Sequence, residues 1–213
     1  MPIPCGPDPH DPFPLPDQPR TAYLKNHITR PNIIVGDYTY YDDPAGVANF
    51  EQNVLYHFDF VGDKLIIGNF CAVATNVRFL MNGGNHAIQG FSSFPFRIFG
   101  GAWEQALPPD FAFPNRGDTV VGNDVWLGYD SLLMPGVKIG DGSIVASRSV
   151  VTKEVPPYHL VGGNPARTIP ARFDDATIQA LLEIRWWDWD AAKITRNLAA
   201  ICGTDLARLR ECT

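Results

Sequence analysis

The sequence predicts an all-β solenoid built from hexapeptide repeats. Aliphatic residues recur every six positions through the second half of the chain, and small or β-branched residues recur four places after each of them. An upstream run keeps the same step, and residues 35–40 form an outlying copy. The aliphatic positions are Val61, Ile67, Val73, Phe79, Val121, Leu127, Leu133, Ile139, Val145 and Val151, and the small partners are Val125, Ser131, Val137, Ser143, Ser149 and Val155. A fixed short period is the signature of a repeat architecture.

The six-residue period has a physical cause in a coil with three sides. If each hexapeptide forms one short strand and one turn, residues eighteen apart, such as Leu127 and Val145, stack on one face. The aliphatic side chain then points into a narrow interior, and the glycines beside several of these positions supply turn geometry. A helix is a poor alternative, because a six-residue step drifts around a 3.6-residue turn. The spacing leaves the handedness of the coil open.

Four segments follow from where this pattern starts, breaks and stops. Residues 1–31 form a proline-rich lead, whose prolines deny it a helix or an inner strand. The hexapeptide β-helix spans 32–173 and is interrupted at 41–57 and by a long inserted loop at 82–116. Residues 174–213 carry a helical pattern, and we expect them to cap one end of the solenoid, which otherwise presents an open strand edge.

The C-terminal segment has recognisable helix-start signals. Asp174 is predicted as an N-cap, because it precedes a run that places Ile178 and Leu181 on one side of a helix. Asp190 and Thr204 are predicted to cap two further short helices.

Composition excludes several classes of function. The net charge of −6 argues against a nucleic-acid partner. The sequence contains no apolar run long enough to cross a membrane, and the N-terminal residues lack the features of a signal peptide, so we expect no membrane association and a cytoplasmic location. The four cysteines, at positions 5, 71, 202 and 212, show no metal-type pairing and are expected to be reduced thiols.

We expect the catalytic residue to lie in the inserted loop. A loop of about 35 residues inside a compact fold is usually functional or disordered, and this one carries enough aromatic residues to pack. It begins with Asn82-Gly83-Gly84-Asn85-His86, which places a histidine at the loop's root beside the solenoid wall. Because histidine exchanges a proton near neutral pH, His86 is the candidate general base.

Several motifs together resemble the xenobiotic acetyltransferases, which include streptogramin A acetyltransferases and type B chloramphenicol acetyltransferases. The resemblance covers nearly the whole chain, and the lead, residues 38–42 and residues 55–57 are similar to the streptogramin branch in particular. The shared motifs are the hexapeptide array, residues 82–86, Phe94-Pro95-Phe96, residues 117–128, Met134-Pro135-Gly136-Val137, Gly162-Gly163-Asn164-Pro165-Ala166 and Trp186-Trp187-Asp188-Trp189.

This resemblance implies a left-handed parallel β-helix that assembles as a homotrimer with active sites between subunits. It implies acetyl-CoA as co-substrate, no metal, and direct transfer of the acetyl group to a hydroxyl of a small-molecule antibiotic. His86 matches the family's base. A nucleophilic serine or cysteine would need to lie beside the histidine, and no short motif provides one.

Further site residues carry over from the family by position. The acceptor site is expected to include Tyr40, Phe58, Phe113 and Trp126. The streptogramin branch usually carries tyrosine at the position of Phe58, so a hydrogen bond to the acceptor is expected to be absent. Cofactor binding is expected from the backbone of Gly128, Ala146, Gly163 and Asn164, and from the cations Arg148, Lys153 and Arg167.

The loop also departs from the family pattern. Relatives commonly show an arginine and then an acidic residue after the histidine, whereas this chain continues with Ala87-Ile88-Gln89-Gly90. The segment Phe91-Ser92-Ser93 is one residue longer than the corresponding loop segment of the family. Glu104 is a candidate for electrostatic support of the site, although a solvated carboxylate is the simpler interpretation. These departures bear on the acceptor and leave the base in place.

Alternative functions are distinguished by what each would require. A zinc hydratase on the same solenoid would need about three histidines on adjacent coils, and only His86 is well placed. A purely structural solenoid would need neither a base nor an aromatic loop. Within the acetyltransferases, the alternative acceptors are chloramphenicol and a sugar or other small metabolite.

Overall fold

The computed structural model describes residues 6–105 and 114–212. Its strands, in chain order, are β1 (Thr21–Tyr23), β2 (Ile33–Val35), β3 (Tyr40–Asp42), β4 (Val54–Leu55), β5 (Leu65–Ile67), β6 (Ala72–Val73), β7 (Arg78–Leu80), β8 (Thr119–Val121), β9 (Trp126–Leu127), β10 (Leu132–Leu133), β11 (Lys138–Ile139), β12 (Ile144–Val145), β13 (Val150–Val151), β14 (His159–Gly163) and β15 (Ala166–Ala171). The α-helices are α1 (Asn49–Gln52), α2 (Asp175–Ile184), α3 (Ala191–Ile201) and α4 (Leu206–Arg210).

Three parallel sheets form the walls of the solenoid. Face 1 contains β2, β5, β8 and β11; face 2 contains β3, β6, β9, β12 and β14; face 3 contains β4, β7, β10 and β13. Successive strands of the chain belong to successive faces, so each coil passes once through every face. The predicted solenoid is thus confirmed, and the sheets are consistent with a left-handed parallel β-helix.

The aliphatic positions of the repeat fill the interior. Leu127 pairs with Val145 as the eighteen-residue spacing predicts, and the column continues to Val73 and Val161. Each of these side chains is at most 3% exposed. Val61 was predicted to belong to the same series, and that prediction is wrong. Val61 is the last residue of a 3₁₀ helix (Asp59–Val61), and the strand that follows enters the interior through Leu65 and Ile67.

The corner between faces 1 and 2 is held by a ladder of polar side chains. The Asp37 N–H donates to Asn69 Oδ1 (2.8 Å), the Asn69 N–H to Asn123 Oδ1 (2.8 Å), and the Asn123 N–H to Asp141 Oδ1 (2.6 Å). A Cβ on Gly122, which precedes Asn123, would lie 2.6 Å from Asp141 Oδ1. Glycine is required here by close approach between coils.

The sequence argument expected the glycines beside the aliphatic positions to supply the turn geometry. Other residues adopt it instead. Gly68, Gly122 and Gly140 do not have positive φ. At the same corner, Phe70 (58°), Asp124 (54°) and Tyr158 (57°) adopt the left-handed conformation instead. Glycine is therefore needed at these positions because one coil packs closely on the next.

Antiparallel strands cover both edges of face 2. β1 pairs with β3 at the first coil, and β15 pairs with β14 at the last. Asn26 Nδ2 donates to the Pro9 carbonyl (2.9 Å), which ties the proline-rich lead to the segment after β1. These strands shield the edges at which another chain could pair.

The C-terminal helices follow the last coil and pack along the corner between faces 1 and 2. Trp187 and Ile178 are buried with Tyr158, and Phe70 packs against the same cluster. Asp174 and Asp190 are confirmed as N-caps: their side chains accept from the Thr177 and Lys193 N–H groups. The third cap is Asp205, which accepts from the Arg208 N–H, and not Thr204. Among the described residues, no helix has the length and apolar character needed to cross a membrane.

Asp124 is the least favourably placed charge at this corner. Its pKa is raised to about 6, chiefly by burial; the Arg172 guanidinium opposes the rise, and the nearby Asp141 adds to it. The ordinary value is 3.8, so the unfolded chain releases this proton first, and folding stability falls as the pH rises from about 4 to about 6.

We therefore predict that Asp124→Asn stabilises the fold above pH 6, by up to ~3 kcal/mol, and that the gain disappears near pH 4. Asparagine also tolerates the left-handed backbone at this position. Urea unfolding at pH 7.5 and pH 4 measures the two gains. Asp130→Asn is the matched control, because Asp130 has the same backbone conformation (φ 55°) but carries an ion pair with Arg78. A gain of equal size at both pH values would refute the account.

Candidate active site

The inserted loop leaves the solenoid at the corner between faces 3 and 1, and its root is tied down. Asn82 is fully buried and begins a 3₁₀ helix, Asn82–Gly84. Its side-chain amide donates to the Gly117 carbonyl (2.8 Å), and its Oδ1 accepts from the Arg116 N–H (2.7 Å). One asparagine thus joins the residues where the loop starts to those where it returns.

A second contact repeats this connection one turn further along the loop. Asn85 Nδ2 donates to Asn82 Oδ1 (3.0 Å) and to the Pro114 carbonyl (3.0 Å). Gly83 lies flat against the preceding coil, since an added Cβ would sit 2.2 Å from the Tyr56 carbonyl oxygen. The residue that follows, His86, is therefore carried on a fixed segment of backbone.

The His86 imidazole is oriented by one hydrogen bond. Its Nδ1 lies 2.8 Å from the Ser93 carbonyl oxygen. A carbonyl can only accept, so Nδ1 carries the proton and Nε2 holds a free lone pair. The side chain is exposed, and Nε2 is available to take a proton from a bound molecule.

A cavity of about 890 Å³ opens beside the imidazole. Its walls are mostly apolar, and Glu104 is the carboxylate among them; members of the lining include Phe60, His86, Phe94, Phe96, Ile98 and Glu104. The aromatic residues of the loop pack on one another, with ring centroids 4.8 Å apart for Phe94 and Phe96 and 5.4 Å apart for Phe96 and Trp103. The loop thereby forms its own small aromatic core around a concave surface.

The predicted acceptor residues are distributed over two distant parts of the chain. Phe58 lies at the loop root, where its ring stacks on Phe60 at 5.5 Å. Tyr40 and Trp126 lie on face 2, both substantially exposed, and Ala72 pairs between them and leaves a notch. Neither lines the cavity beside His86. Phe113 lies outside the described residues.

The predicted cofactor residues occupy the later coils. The Gly128 N–H donates to the Val145 carbonyl (2.8 Å) and the Ala146 N–H to the Val161 carbonyl (2.9 Å), so these N–H groups hold coils together. The carbonyls of the same two residues accept from the Ser131 and Ser149 N–H groups (3.3 Å each), so the backbone at both positions is already hydrogen-bonded. Gly163 is the last residue of β14, Asn164 begins the turn to β15, and the Gly163 N–H donates to Ser149 Oγ (3.2 Å).

The predicted cations lie in two places. Lys153 and Arg167 line one hollow of about 240 Å³ on the last coil. Arg148 lies apart from it, with its Nε 3.7 Å from Asp130 Oδ2 and its guanidinium over the Tyr129 ring. Lys153 and Arg167 favour an anionic group in this hollow, and Glu154, which lines it as well, opposes one.

A metal centre finds no support in the geometry. Within residues 6–105 and 114–212, no three or more histidine, cysteine, aspartate or glutamate side chains are grouped so that they could hold a metal ion. His57 Nε2 faces the Asp63 carbonyl (2.9 Å), and His159 Nδ1 faces the Pro157 carbonyl (2.9 Å).

The structure also brings to the candidate site residues that the sequence argument did not identify. Phe60 lines the cavity, Ser93 orients His86 through its carbonyl, and Asp63 bonds to Asn82. The segment lengthened by one residue, Phe91-Ser92-Ser93, was the available signal for Ser93. No pattern in the sequence indicated Asp63, since its side chain contacts Asn82, nineteen positions away.

Comparison with known proteins places the chain among acetyltransferases. Residues 118–153 match the family model described as bacterial transferase hexapeptide (six repeats). The chain is 50% identical over 170 residues to a protein named probable macrolide acetyltransferase from Lysinibacillus sphaericus, covering 80% of this chain and 93% of that protein. It is 46% identical over 206 residues to a virginiamycin A acetyltransferase from Staphylococcus aureus (97% and 93% covered) and 42% identical over 194 residues to a chloramphenicol acetyltransferase from Klebsiella aerogenes (88% and 90% covered).

Proposed function

This chain belongs to the xenobiotic acetyltransferase family of hexapeptide-repeat enzymes, and we propose that it moves the acetyl group of acetyl-CoA to a hydroxyl of an antibiotic, with a group A streptogramin as the first candidate. Acetylation of that hydroxyl would inactivate the antibiotic. The observation that carries the proposal is the hydrogen bond from His86 Nδ1 to the Ser93 carbonyl, which leaves Nε2 free as a base beside the cavity.

The chemistry requires such a base. An alcohol is almost wholly protonated at neutral pH, so its oxygen attacks a thioester only as its proton is removed. His86 Nε2 accepts that proton while the new C–O bond forms, and returns it to the coenzyme A sulfur when the C–S bond breaks. In the described part of the chain His86 makes no hydrogen bond to a serine hydroxyl or cysteine thiol, which supports direct transfer over an acyl-enzyme.

The binding of acetyl-CoA is supported by the last coil. The hollow lined by Lys153 and Arg167 provides two cations for a phosphate, against the one carboxylate of Glu154, and Gly163 and Asn164 lie at the end of β14 on the same coil. Arg148, Gly128 and Ala146 lie on the adjoining corner of the preceding coils. We propose that the coenzyme lies along this edge.

The test of the base is His86→Ala. We expect turnover, measured as thiol released in the presence of an acceptor, to fall by about 10² to 10⁴, because general-base catalysis contributes that much. Coenzyme A affinity, measured by calorimetry, should stay within twofold, since the proposed coenzyme residues lie on other coils. Turnover within twofold of wild type would remove His86 from the mechanism.

A single subunit does not assemble a complete site from the predicted residues. His86 projects from the corner between faces 3 and 1, whereas Tyr40 and Trp126 lie on face 2 across the solenoid. Face 2 carries a continuous outward column of Tyr40, Ala72, Trp126, Ile144 and Leu160, which is apolar and partly exposed. We propose that the loop of one subunit meets face 2 of the next in a closed trimer.

Complementation tests this arrangement. When His86→Ala and Trp126→Ala subunits are coexpressed in equal amounts and assemble at random, the whole preparation should regain about one quarter of wild-type activity if each variant alone is inactive. About three quarters of the trimers are then mixed, and each mixed trimer has one site in three that combines both intact residues. Sedimentation should show a trimer at micromolar concentration. A fully active monomer, or no recovery in mixed trimers that are shown to form, would contradict the shared site.

The acceptor follows from the size and polarity of the cavity. A volume of about 890 Å³ with aromatic walls favours a bulky apolar molecule over a sugar. The relatives named above are called acetyltransferases of a macrolide, of virginiamycin A and of chloramphenicol, and the similarity to the virginiamycin enzyme covers nearly the whole chain. Pro12–Pro16 of the proline-rich lead do not line this cavity.

We expect kcat/KM for a group A streptogramin to exceed that for chloramphenicol by at least about tenfold, or ~1.4 kcal/mol of transition-state discrimination. The reason is the aromatic surface, which a macrocycle covers and a small nitrophenyl diol leaves partly wet. A panel of a streptogramin, chloramphenicol, a macrolide and a simple sugar, assayed with acetyl-CoA, measures the ratio. A better rate with any of the other three would overturn the streptogramin assignment and leave the acetyltransferase assignment standing.

A further inference from the structure

Asp63 is a buried carboxylate outside the loop that bonds directly to the loop's first residue. It is 2% exposed and lies between the 3₁₀ helix Asp59–Val61 and β5, on the solenoid itself. Its Oδ2 accepts both the backbone N–H of Asn82 (2.9 Å) and the side-chain amide of Asn82 (2.7 Å). The partner residue is fully buried as well.

The hydrogen bonds of Asn82 continue to the catalytic histidine's neighbour. Asn82 Oδ1 accepts from Asn85 Nδ2 (3.0 Å), and Asn85 lines the cavity immediately before His86 in the chain. The path from the solenoid to the base therefore consists of Asp63, Asn82 and Asn85. Each step is a hydrogen bond between side chains that are wholly or partly buried, where an unmatched donor costs more than in water.

Asp63 is held from its other side by the preceding turn. Its backbone carbonyl faces His57 Nε2 (2.9 Å), and the His57 ring is 5% exposed. Both Asp63 Oδ1 and His57 Nδ1 are buried, and neither has a hydrogen-bond partner among residues 6–105 and 114–212. The network thus directs the bonded oxygen of Asp63 to the loop.

We propose that Asp63 and Asn82 are positioning residues, which set the place of His86 relative to the cavity by fixing the loop root on the solenoid. The inference rests on the proposed role of His86 as base. Positioning matters because a displacement of about 1 Å at a reacting group can cost on the order of 10² in rate.

The role requires an acceptor at Asp63 and does not require its charge. Asp63→Ala leaves two buried donors of Asn82 unmatched, whereas Asp63→Asn keeps one carbonyl oxygen that can accept both. We expect Asp63→Ala to lower kcat by about 30- to 100-fold, and Asp63→Asn to stay within about fivefold of wild type. The KM for acetyl-CoA should remain within twofold in both variants.

The matched control is Asp43→Ala, which separates positioning from loss of stability. Asp43 is also 2% exposed and also accepts from an asparagine side chain, Asn49 Nδ2 (2.9 Å). Its other partners are the Tyr41 hydroxyl and the Ala45 and Asn76 backbone, none of which belongs to the loop. We expect Asp43→Ala to lower the midpoint of thermal unfolding at least as much as Asp63→Ala does. Its kcat per folded subunit should stay within about threefold of wild type, because nothing in its contacts leads to His86.

Hydrogen exchange gives a readout that does not depend on turnover. Amide exchange in the peptide 82–93 should accelerate in Asp63→Ala and remain at the wild-type rate in Asp63→Asn and Asp43→Ala. If Asp63→Ala does not fold, Asn82→Asp serves in its place, since it keeps the side-chain volume, removes the amide donor and sets two carboxylates together. It should show the same fall in kcat and the same faster exchange.

The outcomes distinguish this inference from the proposed function. Full kcat and unchanged exchange in Asp63→Ala, together with loss of turnover in His86→Ala, overturn the positioning role alone. Loss of kcat in Asp63→Asn equal to that in Asp63→Ala also overturns it, because the charge would then be what matters. Wild-type turnover in His86→Ala overturns the base, and the positioning role with it.

Discussion

The fold depends on the narrowness of its interior. Each side of each coil sends mostly aliphatic side chains inward, and those of Val73, Leu127, Val145 and Val161 meet with almost no exposure. Because this interior is filled by close packing, it has no room for a catalytic group or a ligand. Chemistry therefore has to be placed outside the coils, either on their outer faces or on a segment that leaves them. The inserted loop is such a segment, and its attachment determines whether its histidine is held or free.

Close stacking of the coils also explains which structural features could be predicted from the sequence. The six-residue step predicted the buried columns because every coil must repeat the same inward position. It misplaced Val61, because the turn before β5 contains a 3₁₀ helix that the spacing does not record. It also assigned the wrong cause to Gly122, which is required by the approach of Asp141 from the next coil and not by its own backbone angle. Local signals such as the Asp174 and Asp190 caps were predicted correctly, while the cap predicted at Thr204 lies one residue later, at Asp205.

The site was predictable where it depended on short motifs and not where it depended on contacts across the fold. His86 was identified from its place at the root of the loop. The structure adds the orientation of its ring, because the Ser93 carbonyl accepts a hydrogen bond from Nδ1. Phe60 and Asp63 act through residues far along the chain, so no local spacing could indicate them. The separation of His86 from Trp126 on opposite sides of one solenoid is also a three-dimensional fact, and it is the strongest argument that the working site is shared between subunits.

The loop divides into two regions with different mechanical roles. Its root, from Asn82 to His86, is bonded to the solenoid by buried polar groups, and its far part holds together through Phe94, Phe96 and Trp103, which pack on one another. Substitution in the aromatic part can change the shape of the cavity while the root keeps the imidazole in place. With His86 as the proposed base, this separation gives a physical reason why one loop root can be combined with cavities for acceptors as different as a macrocycle and a nitrophenyl diol. The proposal then places the determinants of acceptor choice in residues 87–104, beyond the histidine, where this chain departs from the usual family pattern.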